Sequence, residues 1–167
     1  MPVLFGLVVF LVACFGLTVF RGAPYVPTHK HQVEVALDLL SLEPGGTLVD
    51  LGSGDGVVLL AAAQRGLRVY GYEINPVLCL VAWWRCRKYR TRVTIRWRDF
   101  WLAALPPSTK AIFVFAAGPY ITKLERKLVK FAAQQNKRVL VASYGFALPN
   151  QRLLQSRDGV LIYEFKP

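Results

Sequence analysis

Val49 to Gly56 reads VDLGSGDG, three glycines at alternate positions with an aspartate on either side of the first two. Gly52, Gly54 and Gly56 allow a tight turn and a close approach of backbone to a ligand. A glycine loop alone is compatible with several nucleotide-like ligands, and charge separates them. A pyrophosphate needs unopposed backbone N–H groups at a helix N-terminus. Here Asp50 and Asp55 bracket the loop, and the spacing is G-x-G-x-G rather than the dinucleotide G-x-G-x-x-G. Two carboxylates suit a cation. S-adenosylmethionine, which carries a sulfonium and an ammonium group and no phosphate, fits better, so Asp50, Gly52, Ser53, Gly54 and Asp55 are the first cofactor-binding candidates.

Two further acids extend the constellation. Glu73 stands in Tyr72-Glu73-Ile74-Asn75-Pro76, about 20 positions past the loop, where an acidic residue accepts hydrogen bonds from ribose hydroxyls. Glu73 and the adjoining Ile74 therefore join the cofactor set. Asp99-Phe100-Trp101 places a carboxylate beside aromatics; Asp99 can take an adenine amino group while a ring such as Phe100 covers the base. Only ten acidic residues occur in the chain. Four of them are expected at the C-terminal ends of the first three strands or just beyond, the edge at which such sheets bind ligands.

The elements that would position these residues follow from periodicity. Helices are expected over His31–Leu42, Gly56–Arg65, Pro76–Tyr89 and Tyr120–Gln134. Strands are expected over Thr47–Leu51, Arg68–Glu73, Arg92–Arg98, Ala111–Ala116, Arg138–Tyr144 and Val160–Phe165, the last in a hairpin turned at Asp158-Gly159. Repeated strand–helix alternation implies an α/β, Rossmann-like doubly wound and mostly parallel sheet with helices on both faces. Three cysteines supply neither a disulfide framework nor a zinc ligand set. Cys79 and Cys86, seven residues apart on one helical face, read as core.

Of 167 residues 54% are hydrophobic, yet 21 Lys and Arg face 10 Asp and Glu. Position resolves the contrast, because residues 1–20 carry no charged side chain. Val3 to Phe20 is an uninterrupted apolar run of 18 residues, at the lower end of a bilayer-spanning helix. The absence of a basic residue before it and the poor cleavage context at Val19-Phe20-Arg21 argue against a signal peptide, and the lack of a polar stripe argues against a core helix. The positive-inside rule places the N-terminus outside and the basic remainder on the cytoplasmic or matrix-equivalent side. The expected organisation is an anchor over 1–21, a connecting segment and helix over 22–46, and a cofactor-binding domain over 47–167.

Taken together, residues 20–167 resemble the class I, seven-β-strand S-adenosylmethionine-dependent methyltransferases. They resemble more narrowly the membrane-associated protein lysine methyltransferases of the ATP synthase c-subunit and the adenine nucleotide translocase, with their prokaryotic relatives. The likeness rests on Pro24-Tyr25-Val26-Pro27-Thr28 directly after an apolar segment, on Gln32-Val33-Glu34, and on VDLGSGDG. It also rests on Gly71 to Pro76, Asp99-Phe100-Trp101 and Leu124 to Leu128. It implies that Tyr25, Val26 and Thr28 line the methyl-donor and acceptor side, while Asp50, Gly52, Glu73 and Asp99 hold the cofactor, which leaves as S-adenosylhomocysteine. The chain departs from the pattern at Ala116-Ala117-Gly118-Pro119-Tyr120 and in a short C-terminus.

Acceptor chemistry is narrowed by what is missing. Ala117 precedes Gly118-Pro119-Tyr120, so the polar partner that amino-directed nucleic-acid methyltransferases place before Pro-Pro-aromatic is absent. Arg85, Arg87, Lys88, Arg90, Arg92, Arg96 and Arg98 lie among Trp83, Trp84 and Trp97. That mixture can bind single-stranded nucleic acid, but in an anchored domain it favours anionic lipid headgroups, at about 1 kcal/mol per basic residue near the surface. Lys123, Lys127 and Lys130 read as a solvated or membrane-facing stripe. From Phe20 to Tyr25 the chain reaches at most about 17 Å, so an acceptor site at Tyr25 lies within a headgroup's depth of the bilayer. The expected reaction is in-line methyl transfer to a lysine amine, whose deprotonation near neutral pH costs roughly 4 kcal/mol and less at a hydrophobic entrance. Tyr25, Thr28 and His29 are the candidate catalytic residues. His29 is the proton-acceptor candidate, against a surface or capping role. Lipid or small-amphiphile methylation, and a tethered RNA-binding or RNA-modifying domain, are the alternatives.

Overall fold

The computed structural model describes residues 4–6, 16, 28–115 and 118–167. The predicted span over 3–20 and the site candidates Tyr25 and Val26 lie outside these, apart from isolated positions of the apolar run. Among the described residues no helix is long and apolar enough to cross a membrane.

Seven strands form one sheet: β1 (Thr47–Leu51), β2 (Arg68–Glu73), β3 (Val93–Trp97), β4 (Thr109–Val114), β5 (Val139–Tyr144), β6 (Arg152–Arg157) and β7 (Val160–Phe165). Their order is β3-β2-β1-β4-β5-β7-β6. The first five are parallel, and β7 enters antiparallel between β5 and β6. Order reverses at β1, where the crossover goes first to β2 and then, past β3, to β4. That is the switch point at which open α/β sheets bind ligands beyond their C-terminal strand ends. The sequence expectation of a doubly wound, mostly parallel sheet holds.

Strand burial follows position. Every residue of the central β1 is buried, whereas β6 at one edge is almost wholly exposed. Asp158 (φ 50°) and Gly159 (φ 78°) both take left-handed backbone and turn β6 into β7, as an Asp-Gly hairpin does. Helices α1 (Lys30–Leu40), α2 (Val57–Gln64) and α3 (Pro76–Arg85) cover one face, and α4 (Ile121–Gln135) covers the other. On the first face Val33, Leu37, Leu59 and Ala62 pack against Leu48, Val69, Phe113 and Ile162. On the second, Leu124, Leu128 and Phe131 pack against Val49, Ile112, Val141 and Phe165.

Most element ends shift by one or two residues from expectation, β4 starting two residues early at Thr109, and the largest shift is four residues at the end of α3. α3 ends at Arg85, and Arg87–Tyr89 tightens into a 3₁₀ turn, a common way for a helix to spend its last carbonyls. Its start is as expected: the Asn75 side chain accepts from the N–H groups of Val77 and Leu78, and Pro76 occupies the first turn. α1 begins one residue early, at Lys30, and stops at Leu40, where Ser41 adopts left-handed backbone (φ 45°).

Candidate functional site

Asp50 is the anomaly from which the site is built. It is the fourth of the five residues of β1, beside the strand's C-terminal end, opposite Gly71 on one side and Phe113 on the other. It is 2% exposed, and its Oδ2 has no hydrogen-bond partner among the described residues. Burial, reinforced by the neighbouring Glu73 and Asp55, raises its pKa well above the ordinary carboxylate value. An orphaned buried carboxyl costs stability unless something else compensates it. A bound cation does so.

The glycine loop wraps this group. Gly52 and Ser53 both donate backbone N–H to the Tyr72 carbonyl, at 2.9 and 3.0 Å, pinning the loop to the end of β2. Ser53 lies so close to Gly71 that a Cβ there would come within 2.7 Å of Ser53 Oγ. That explains a glycine inside a strand. Ser53 Oγ is likewise buried without a partner. At Gly52 (φ 82°) a Cβ would meet nothing within 4 Å, whereas at Gly56 (φ 81°) it would meet Ala82 Cβ at 2.8 Å. The first glycine thus borders open space, and the last seats α2 against α3. The two orphaned polar atoms and the open space at Gly52 form a cradle with the donors and acceptors that a cationic, hydroxyl-bearing ligand requires.

Glu73 organises the second strand end. Its Oε2 accepts from Gly54 N–H at 2.9 Å, and its Oε1 accepts from Ile74 and Asn75 N–H at 2.9 and 2.8 Å. The carboxylate is therefore preoriented by three backbone donors and tied to the glycine loop. Glu73→Ala should unfasten Gly54, leave three N–H groups short of an acceptor, and lower both Tm and cofactor affinity; calorimetry and thermal melts check the pair.

Arg98 N–H donates to the Glu73 carbonyl at 2.9 Å, which brings Asp99 next to this strand end. Asp99 Oδ1 accepts from Trp101 N–H at 2.8 Å, and the Phe100 and Trp101 rings pack with centroids 4.5 Å apart. The acid and the two rings thus stand together beside the end of β3. Asp55 differs in that its carboxylate pairs with Arg85 at 2.7 Å, joining the loop to the end of α3. Thr28 and His29 precede α1. His29 occupies the exposed N-cap with no side-chain capping bond, and His31 instead pairs with Asp158 at 2.9 Å.

Lys127 is the residue that the sequence pattern does not reveal. It is not part of a solvated stripe. Its Nζ donates to the Ala103 carbonyl at 2.8 Å and reaches the Trp101 carbonyl at 3.4 Å, fastening the Asp99 loop to α4, and burial pushes its pKa below the usual lysine value. Only Lys123, stacked 4.4 Å over the Trp101 ring, hints at such a contact from spacing, since it stands one turn earlier. Lys127→Met should weaken cofactor binding several-fold by freeing the loop while leaving Asp50 and Glu73 in place. Unchanged affinity with normal loop protection in hydrogen exchange would contradict this.

Comparison with known proteins agrees with this geometry. Residues 50–155 match the ANTKMT methyltransferase domain. The chain is 30% identical over 145 residues to the ATP synthase c-subunit lysine N-methyltransferase of Rattus norvegicus, covering 84% of this chain and 66% of that protein. It is 42% identical over 110 residues to the adenine nucleotide translocase lysine N-methyltransferase of Mus musculus, covering 63% and 46%. The chain thus spans about half to two-thirds of the length of these relatives. Among solved structures it superposes on an RNA methyltransferase from Salinibacter ruber in complex with S-adenosyl-L-homocysteine, with a TM-score of 0.73, 26% identity, and coverage of 84% and 92%.

Proposed function

The chain belongs to the ANTKMT methyltransferase family, and from that premise we propose that it is an S-adenosylmethionine-dependent protein lysine N-methyltransferase acting on a membrane protein close to the bilayer. The lysine acceptor rests on the activities for which the relatives are named, while the single observation that carries the cofactor is the pair of buried, unpartnered side-chain oxygens of Asp50 and Ser53 beside the preoriented Glu73. That set fits S-adenosylmethionine, which when bound supplies a methyl carbon made electrophilic by cationic sulfur. Asp50 and Ser53 would meet its positive and polar groups, Glu73 its ribose hydroxyls, and Asp99 with Phe100 its adenine. The protein's own contribution is orientation and the exclusion of water, which together account for much of the rate in a two-substrate transfer.

Membrane proximity is supported by the apolar run over 3–20 and by the short reach from Phe20 to the PYVPT segment. It agrees with the substrates for which two relatives are named, the ATP synthase c-subunit and the adenine nucleotide translocase. We infer a single-pass anchor with the catalytic domain on the cytoplasmic or matrix-equivalent side, and anionic headgroups as a second partner. The decisive experiment incubates the full chain with radiolabelled cofactor and membranes from a strain lacking it. A labelled protein band carrying methyl-lysine is the expected result. Label confined to the lipid extract, or to RNA, overturns the assignment of a protein acceptor.

A further inference from the structure

Ile74 to Arg98 contains seven basic residues and no acid. The structure gives this bias a shape. α3 and the edge strand β3 enclose an open apolar groove of about 560 Å³ lined by Pro76, Cys79, Leu80, Trp83, Ile95 and Trp97. Leu80 is 70% exposed, Trp83 53%, Trp84 63% and Trp97 70%. Exposed apolar side chains scattered singly are ordinary, but a contiguous patch marks a surface that meets something.

Details of the patch decide what it meets. Trp97 Nε1–H donates to the Ile74 carbonyl at 2.9 Å, so its polar handle is satisfied by the protein and its ring is held rigid and outward. Arg87 lies 4.3 Å over the Trp84 ring. Arg85 is neutralised by Asp55, whereas Arg87, Lys88, Arg90, Arg92, Arg96 and Arg98 are exposed and have no salt bridge among the described residues. Tryptophans at an apolar surface with a cationic rim match the headgroup layer of a bilayer, where indoles concentrate and basic side chains meet anionic lipid. The aliphatic Leu80 and Val81, also exposed, favour lipid over nucleic acid, because they offer no ring on which a base can stack.

We propose that the α3–β3 groove is an interfacial docking face for an anionic bilayer, into whose headgroup layer Trp83, Trp84, Trp97 and Leu80 insert. This deepens the reading of a membrane-proximal enzyme and rests on it for its purpose, though not for its test. The wall of the groove is continuous with the cofactor-side strand end: Cys79 Sγ donates to the Glu73 carbonyl at 3.5 Å, and Trp97 is held by Ile74. Docking here sets the ligand edge of the sheet at the membrane surface independently of any anchor. It fixes the rotation of the domain about the segment that joins it to residues 3–20.

The test must distinguish this face from attachment through the apolar run, so it reads depth rather than attachment. The full chain is bound to vesicles of brominated phosphatidylcholine, with or without phosphatidylglycerol, and tryptophan quenching is recorded. Three of the four tryptophans are in the patch, so loss of about half or more of the emission is expected in the anionic vesicles, with much less in the neutral ones. In a W83F/W84F/W97F variant the remaining Trp101 emission should be unquenched. An R87Q/R90Q/R92Q variant should lose most of the anionic preference yet keep its affinity for S-adenosylmethionine, which is measured separately by calorimetry. Failure of cofactor binding in the parent chain would strike the methyltransferase reading and leave the docking result standing. A chain that floats with vesicles but is unquenched, or is quenched equally in neutral lipid, overturns the docking face. So does quenching removed by single-stranded RNA at equal ionic strength, or a patch-dependent dimer in the absence of vesicles.

Discussion

Gly56→Ala is expected to lower the melting temperature by roughly 10 °C, at about 2–4 °C per kcal/mol for a chain of this size. Two penalties combine at this position. Gly56 has φ 81° and immediately precedes α2, and a residue with a Cβ held in that region costs about 1–3 kcal/mol. The added methyl would also approach Ala82 Cβ at 2.8 Å and Ala82 Cα at 3.0 Å. Because part of that contact is backbone, α3 must move as a body, an overpacking cost of about 1–3 kcal/mol. Movement of α3 also disturbs the Asp55–Arg85 pair and the Cys86 Sγ–Gly56 carbonyl contact at 3.8 Å. Gly52→Ala is the matched comparison, with the same backbone strain (φ 82°) but no neighbour within 4 Å. It should melt closer to the parent chain and lose cofactor binding, since its Cβ would occupy the space that the ligand needs. Thermal melts and calorimetry on both variants test the contrast. Equal destabilisation of the two would show that strain alone governs the loop.

Those two glycines also show how far the sequence could be read. The alternating pattern over 52–56 located the loop because backbone conformation is encoded locally, as were the Asn75-Pro76 helix start and the Asp158-Gly159 turn. What each glycine faces was not legible, because Ala82 is 26 residues away in sequence and only the fold brings it near. The same limit explains Asp55, which reads as a cofactor acid from its place in the loop but meets Arg85 across the α2–α3 junction. It explains Lys127 as well. Lysines at 123, 127 and 130 look like one solvated stripe until the loop after β3 folds back beneath the middle one and presents two carbonyls to it. Cys79 and Cys86 read as one core face of a helix, but α3 ends before Cys86, which reaches the core at 2% exposure, while Cys79 borders the open groove. β6 has little burial on either face, so period-two patterning had nothing to mark. The alternation of strands and helices, the acids at the strand ends and the basic tryptophan patch were legible, because each follows from residue type and periodicity within one element; the strand order, which only the fold sets, was not.

Asp50→Asn is expected to divide binding from stability. In the ligand-free protein this carboxyl is buried, unpartnered and flanked by Glu73 and Asp55, and its pKa stands well above the ordinary value. A group whose folded-state pKa is raised contributes its full share of stability below the unfolded pKa. That share is lost as pH rises through the folded value. At neutral pH the parent chain therefore carries a cost that an amide of the same shape does not. The variant should melt higher than the parent at neutral pH, with a gain that shrinks toward the ordinary carboxylate range near pH 4. Binding moves the other way. A cationic ligand lowers the Asp50 pKa, so cofactor association releases a proton and tightens as pH rises through the ligand-free value, and neither effect survives in the variant. Its affinity for S-adenosylmethionine should fall roughly 10- to 100-fold, from the about 1.5–3 kcal/mol that a hydrogen bond to a charged group contributes. Calorimetry in buffers of different ionisation enthalpy counts the proton, and melts across pH measure the gain. An Asp50→Asn chain that binds as tightly as the parent would remove Asp50 from the site. One that binds weakly and also melts lower would mean that the carboxyl is satisfied in the free protein after all. Retention of a destabilising acid at the buried end of β1 is explained by the ligand: the same desolvation that makes Asp50 costly when empty makes it strong toward a cation when filled.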